Sequence, residues 1–172
     1  PANSTWSLTK PNSFVLQERH GNTFKFDTLG RLTNIVDQYT QPLNVSYVSA
    51  SSYLPQTVTD WKGRSLTFNY TGAKLTSVSD STSRSVSYGY TSNDLTSVTD
   101  PENKTSCFIY DADHQIVAVK DALNQLVTTN IFDPWGYGRV NEQYTQGDTN
   151  KAWRIYWSGW ETVVQDPAGS KQ

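Results

Sequence analysis

Few residues in this sequence have the types and spacing for chemistry. His20, His114 and Cys107 are the side chains best suited to hold a metal or attack a substrate. Metal ions need several ligands converging on one point. Neither histidine has a second His or a Cys at ligand spacing, so both read as solvated or turn residues. Cys107 alternates with Ser106 and Phe108 and has no base placed for it. It reads as a small strand side chain. No Gly-x-Ser-x-Gly elbow, His-Glu-x-x-His helix or Gly-Lys-Ser/Thr phosphate loop occurs. Aspartates recur at Asp37, Asp60, Asp80, Asp100 and Asp121, an array that invites calcium. They lack the neighbouring Asp and Asn ligands of a calcium loop, so turn capping is the expected role. No catalytic residue, metal or cofactor is expected.

Aromatic residues give the other chemical signal. Trp135, Trp153, Trp157 and Trp160 fall within 26 residues, accompanied by Tyr137, Tyr144 and Tyr156. Exposed rings make flat platforms on which sugar faces stack. Such a glycan platform would use Trp135, Tyr137, Trp153, Tyr156, Trp157 and Trp160. The other reading is that these rings pack on adjacent sheet or line an interior. The polar stretch from Gln143 to Asn150 is expected as a loop that rims the platform or joins two repeats.

The elements that carry these residues recur about every twenty residues. Ser65-Leu66-Thr67-Phe68-Asn69-Tyr70, Ser85-Val86-Ser87-Tyr88-Gly89-Tyr90 and Thr105-Ser106-Cys107-Phe108-Ile109-Tyr110 align, and Tyr70, Tyr90 and Tyr110 are each 20 apart. Period-two alternation of β-branched and aromatic residues predicts strands. An apolar anchor follows each, at Leu32, Leu75, Leu95 or Ile116, then Val or Ile three or four residues later. Leu75 and Val78 have opposite parity, which calls for a bulge or a bend. The joints read as turns: Asp100-Pro101-Glu102-Asn103 and Asp166-Pro167-Ala168-Gly169 put Asp first and Pro second. Thr71 to Lys74, Thr91 to Asp94 and Asp111 to His114 are read as equivalent inner turns. Lys120 to Val127 has helix-forming composition but straddles an Asp-led turn, so it is assigned to turn plus strand. The predicted fold is all-β, a meander of hairpins in a curved or spiralling antiparallel sheet. Tyr70, Tyr90 and Tyr110 are expected to form a row across it.

Composition agrees. Ser and Thr supply 40 of 172 residues, and aromatics 13%. The balance of 14 basic to 16 acidic residues argues against a nucleic-acid partner. The longest aliphatic run, Ile116 to Val119, is far below the ~20 apolar residues of a membrane helix. One cysteine excludes an internal disulfide framework, so stability must come from packing or repeat stacking.

Phe26-Asp27-Thr28-Leu29-Gly30-Arg31-Leu32 resembles the YD repeat of bacterial Rhs proteins. Tyr110-Asp111 is a Tyr-Asp pair. Phe132-Asp133-Pro134-Trp135-Gly136-Tyr137-Gly138-Arg139-Val140 is a version with two extra residues, and Trp61-Lys62-Gly63-Arg64 keeps the Gly-Arg half. Phe26, Asp27, Gly30, Arg31, Leu32, Tyr70, Tyr90, Tyr110, Asp111, Phe132 and Asp133 are thus the repeat-defining residues. The resemblance covers roughly residues 20 to 140, and residues 150 to 172 less closely. It implies a single array of six to seven units, near 14–40, 41–64, 65–84, 85–104, 105–125, 126–150 and 151–172. It implies a slice of a longer, secreted or surface-exposed bacterial chain whose repeats wind into a shell around a toxin domain. The implied partners are neighbouring repeats and that cargo. Open sheet edges recruit other chains, so self-association is also expected. Rhs shells often end in a self-cleaving Asp-Pro-x-Gly-Leu site. Here Ser170 follows Asp166-Pro167-Ala168-Gly169, which favours a plain turn.

Overall fold

The computed structural model of the chain describes residues 13–19 and 21–172. His20 lies outside the described residues. These residues divide at Val86 and Ser87 into two compact units. The first carries β1 (Phe14–Gln17), β2 (Thr23–Phe26), β3 (Leu32–Val36), β4 (Pro42–Tyr47), β5 (Pro55–Thr59), β6 (Ser65–Thr71) and β7 (Lys74–Asp80). The second carries nearly all of β8 (Ser85–Thr91), then β9 (Asp94–Thr99), β10 (Thr105–Tyr110), β11 (Ile116–Lys120) and β12 (Leu126–Phe132). It continues with β13 (Val140–Thr145), β14 (Ala152–Trp157) and β15 (Thr162–Gln165). Within each unit the strands pair antiparallel in chain order, the expected all-β meander. Lys120 to Val127 is indeed strand end, turn and strand start. The expected polar loop is shorter than predicted. Gln143 to Thr145 belong to β13, and Thr149–Lys151 form one turn of 3-10 helix. Asp148 starts that turn because its carboxylate accepts the Asn150 amide at 3.0 Å.

The parity conflict is resolved by a bulge that recurs. Phe68 faces Val78 and Tyr70 faces Leu75, so one residue on β6 spans two on β7, and Thr76 is the extra one. The same step separates Tyr88–Val98 from Tyr90–Leu95, and Phe24–Ile35 from Phe26–Leu32. The extra residue is a threonine in these three hairpins, and Gln56, Val117 and Asn141 in the corresponding bulges of β4–β5, β10–β11 and β12–β13. The threonine hydroxyl donates to the opposite carbonyl: Thr76 to Asn69 at 3.1 Å, Thr96 to Gly89 at 3.3 Å and Thr33 to Lys25 at 3.1 Å. A bulge leaves a ladder group unpaired, and here the threonine supplies a donor.

The joints share one geometry. At Asp27, Asp37, Asp60, Asp80, Asp100, Asp111 and Asp121, one carboxylate oxygen accepts the amides two and four residues on, at 2.8 to 3.0 Å. The residue three after each aspartate is left-handed, with φ from 61° to 81°. Gly30 and Gly63 adopt it freely, whereas Thr40, Ser83, Asn103, His114 and Asn124 do so under steric cost. Asp111 to His114 is therefore the same Asp-led turn as the joints. The other two inner turns are two-residue loops, with positive φ at Gly72 and Ser92 as a type II′ hairpin requires.

Adjacent hairpins are tied through the repeat tyrosines. The Tyr47 hydroxyl donates to the Leu32 carbonyl at 2.8 Å, and Tyr110 to Leu95 at 2.9 Å, each reaching back fifteen residues. Phe132 has no hydroxyl. Asn130, two residues earlier, instead donates its amide to the Ile116 carbonyl at 2.8 Å. In the second unit Tyr90 and Tyr110 flank Leu95, so large rings alternate with aliphatic anchors along the sheet. Strands contact mainly their chain neighbours. Among the described residues only Ala118 and Ala152 are buried hydrophobics, because a single layer shields neither of its faces.

Candidate functional site

The aspartate turns hold arginines as well as backbone. Arg31, Arg64 and Arg84 sit four residues after Asp27, Asp60 and Asp80. Each donates Nε to the second carboxylate oxygen at 2.7 to 2.8 Å and brings a terminal nitrogen to 2.6 Å. Asp60 thus does in Trp61-Lys62-Gly63-Arg64 what Asp27 does in the full motif. Arg31 reaches further: it donates to the Ser49 carbonyl at 3.1 Å and to that of Ser52, and its guanidinium lies 4.5 Å from the Tyr47 ring centre. At Asp80 the Thr82 hydroxyl and then the Arg84 guanidinium hold the carboxyl far below the usual carboxylate range. At Asp27 partial burial pushes the carboxyl up, but the Arg31 amide and guanidinium and the Leu29 amide outweigh it, and the net shift is down. These turns are structural cradles whose oxygens are already engaged.

The turn at Asp133 differs because Tyr137 and Gly138 are extra. Asp133 accepts the Trp135 amide at 2.9 Å, Tyr137 at 3.2 Å and Arg139 at 2.9 Å. The Arg139 amide foremost, opposed by partial burial and aided by the other two amides, lowers the carboxyl below its usual range. Arg139 now stands six residues after the aspartate, and its guanidinium leaves the carboxylate. It lies 5.2 Å from the Tyr137 ring centre and 5.3 Å from that of Trp157, within cation–π range of both. Trp157 is itself held by its indole N–H, which donates to the Val140 carbonyl at 3.2 Å.

An open groove of about 560 Å³ results, with Trp135, Tyr137, Tyr156 and Trp157 on its walls and Asn141, Glu142 and Arg154 among its polar groups. Glu142 is spent: one oxygen accepts Arg154 Nε at 3.3 Å and the other accepts the Tyr144 hydroxyl. That bond, helped by partial burial, raises the Tyr144 phenol. Four of the six expected platform residues therefore come together. Trp153 stands on β14 opposite Gln143, away from the groove lining, and Trp160 is fully exposed in the loop from Ser158 to Glu161. Asn141, Glu142 and Arg154 are new to the site, and Arg139 reads from the sequence only as the arginine of the lengthened motif. The available signal was the six-residue Asp-to-Arg spacing, against four elsewhere.

The remaining candidates fall outside the groove. His114 holds the left-handed turn position, with Nδ1 2.9 Å and 3.0 Å from the two oxygens of Asp94. That hydrogen bond and the negative charge of Asp94 raise its pKa, with smaller contributions from Asp111 and Asp113. Cys107 is half-buried in β10. Asp166 accepts the Ser170 amide at 2.8 Å and Gly169 has a φ of 93°, the geometry of a turn. No group of three or more His, Cys, Asp or Glu side chains that could hold a metal occurs among the described residues.

No family model matches the chain, and no curated protein matches it. Among solved structures, a chain in the crystal structure of TcdB2-TccC3-Cdc42 matches with a TM-score of 0.38 and 10% identity. The match covers 91% of this chain and 10% of that one, so this chain spans about a tenth of its neighbour's length.

Proposed function

We propose that this chain is a non-catalytic structural segment of a YD-repeat wall, belonging to a secreted or surface-exposed bacterial protein that encloses or presents a toxin domain. The observation that carries the reading is the recurring Asp-led cradle, with its left-handed fourth residue and, three times, its arginine clamp. It gives Phe26 to Leu32 and its counterparts a mechanical role: each Asp–Arg pair fixes a hairpin joint, and the repeat tyrosines tie that hairpin to the next. Stability in such an array is a sum of neighbour interfaces. Cargo and adjoining repeats are the partners this reading assigns.

Hydrogen exchange on Tyr90→Ala tests the array. Protection should fall most in β8, β9 and β10 and fade with distance along the chain. Unchanged protection, or an equal loss in every strand, rejects it. Enclosure is tested on the intact parent polypeptide. Cargo that resists protease until the repeats are denatured supports a shell, and cargo cut as fast as the free domain rejects one.

A further inference from the structure

We propose that the groove beside the Asp133 turn binds an acidic oligosaccharide, its carboxylate on the Arg139 guanidinium and its sugar faces on the surrounding rings. The inference is independent of the repeat-wall reading, and either can fail alone.

The polar groups that remain unspent decide what the groove can hold. Both acids of the groove are occupied, Asp133 by three backbone amides and Glu142 by Arg154 and Tyr144. The donors are not. Among the described residues the Arg139 side chain joins no ion pair and donates no hydrogen bond, and Arg154 spends only Nε. The Arg139 guanidinium lies over the Tyr137 and Trp157 rings at 5.2 and 5.3 Å and the residue is exposed, so its N–H groups are accessible for bidentate capture of a carboxylate. With both carboxylates engaged and the Arg139 guanidinium unpaired, the groove offers a place for an anion.

The walls specify the rest of the ligand. Trp135 and Tyr137 are 80% and 72% exposed, and Tyr156 and Trp157 are about half so. Flat exposed rings beside hydrogen-bonding groups suit a pyranose, which has an apolar C–H face and a polar rim. The volume lies within the ~300–1,000 Å³ of small-molecule sites. A single-stranded nucleic acid also offers rings and negative charge, but it needs a run of basic groups along its backbone, and the groove holds two arginines, one of them paired with Glu142. A uronate residue presents one carboxylate beside an apolar C–H face, which a single unpaired guanidinium among exposed rings can meet.

The test is tryptophan fluorescence titrated with a galacturonic acid tetramer, a galactose tetramer and a short single-stranded oligonucleotide at matched ionic strength. The acidic tetramer should bind saturably, with the neutral one about tenfold weaker or more, as expected when a charge-assisted hydrogen bond is lost. Arg139→Gln should bring the acidic tetramer to the level of the neutral one, while Arg139→Lys should weaken it less. Arg84→Gln, outside the groove, should bind like the parent. Thermal melts of each variant establish that the fold is kept. Failure of the acidic tetramer to saturate at millimolar concentration, equal affinity for both sugars, an unaltered Arg139→Gln, or tighter binding of the oligonucleotide would each overturn the proposal.

Discussion

Arg31 and Arg139 occupy the same place in two copies of one motif, and their side chains end in different environments. Arg31 is clamped to Asp27 and carries its charge into a neighbouring loop, whereas Arg139 lies over the Tyr137 and Trp157 rings and joins no ion pair among the described residues. Single hydroxyls matter in the same way. Tyr110→Phe removes the donor to the Leu95 carbonyl and should cost about 1 kcal/mol, read from urea unfolding. A change below a few tenths would show that the tie is replaced by water. Charge state gives a second prediction. Asp27, Asp60, Asp80, Asp133 and Asp148 all have lowered folded pKa values, from an ordinary value of 3.8. Such groups stabilise the fold above the unfolded pKa, and that contribution is lost as pH falls through the lower folded values. His114 has the opposite sign. Its raised pKa stabilises below the ordinary 6.5 and is lost as pH rises through the folded value. Melting temperature should therefore fall below about pH 4 and decline more gently above neutrality, effects that Asp80→Asn and His114→Gln should respectively lessen. A flat profile from pH 2 to 8 would contradict both assignments.

At the scale of elements, the hairpin is defined by two devices that a strand pattern alone does not show. One is the threonine bulge, which lets Leu75 and Val78 share a face despite their opposite parity. The other is the left-handed residue in each aspartate turn, which glycine fills at Gly30, Gly63, Gly136 and Gly169 but threonine, serine, asparagine or histidine fills at the other joints. Turn length then decides side-chain fate. Deleting Tyr137 and Gly138 gives Asp133-Pro134-Trp135-Gly136 followed directly by arginine, the spacing of the Asp27 cradle. The arginine should return to the carboxylate. The groove should be lost with little change in the far-ultraviolet circular dichroism, and the deletion should not bind the acidic tetramer. Retained tetramer binding would show that the two extra residues do not build the site.

Beyond the single hairpin, the governing fact in each unit is that its strands pair into a thin layer. Only Ala118 and Ala152 are buried hydrophobics among the described residues, while Leu66, Ile109 and Ile131 are each at least 40% exposed. Exposed aliphatic side chains on a sheet without a second layer favour association. Sedimentation velocity should show weight-average mass rising with concentration, and a constant monomer mass over a hundredfold range (about 1–100 µM) would refute it.

Period-two alternation at Leu66, Phe68 and Tyr70 and the Asp-led joints were enough to place the strands and turns. Those signals are local: a strand face and an Asx turn involve residues within four positions of one another. The single-layer character follows from the same repeats, since each hairpin finds its partner next to it in the chain. What the chain order alone left open was the destination of long side chains. Arg139 meets Trp157 eighteen residues away, Trp157 reaches back to Val140, and Trp153 is carried off the groove by its register opposite Gln143. Register and turn length fix those meetings only once three strands lie side by side. The tertiary structure therefore decided which of the clustered aromatic residues form a site and which charged groups they enclose.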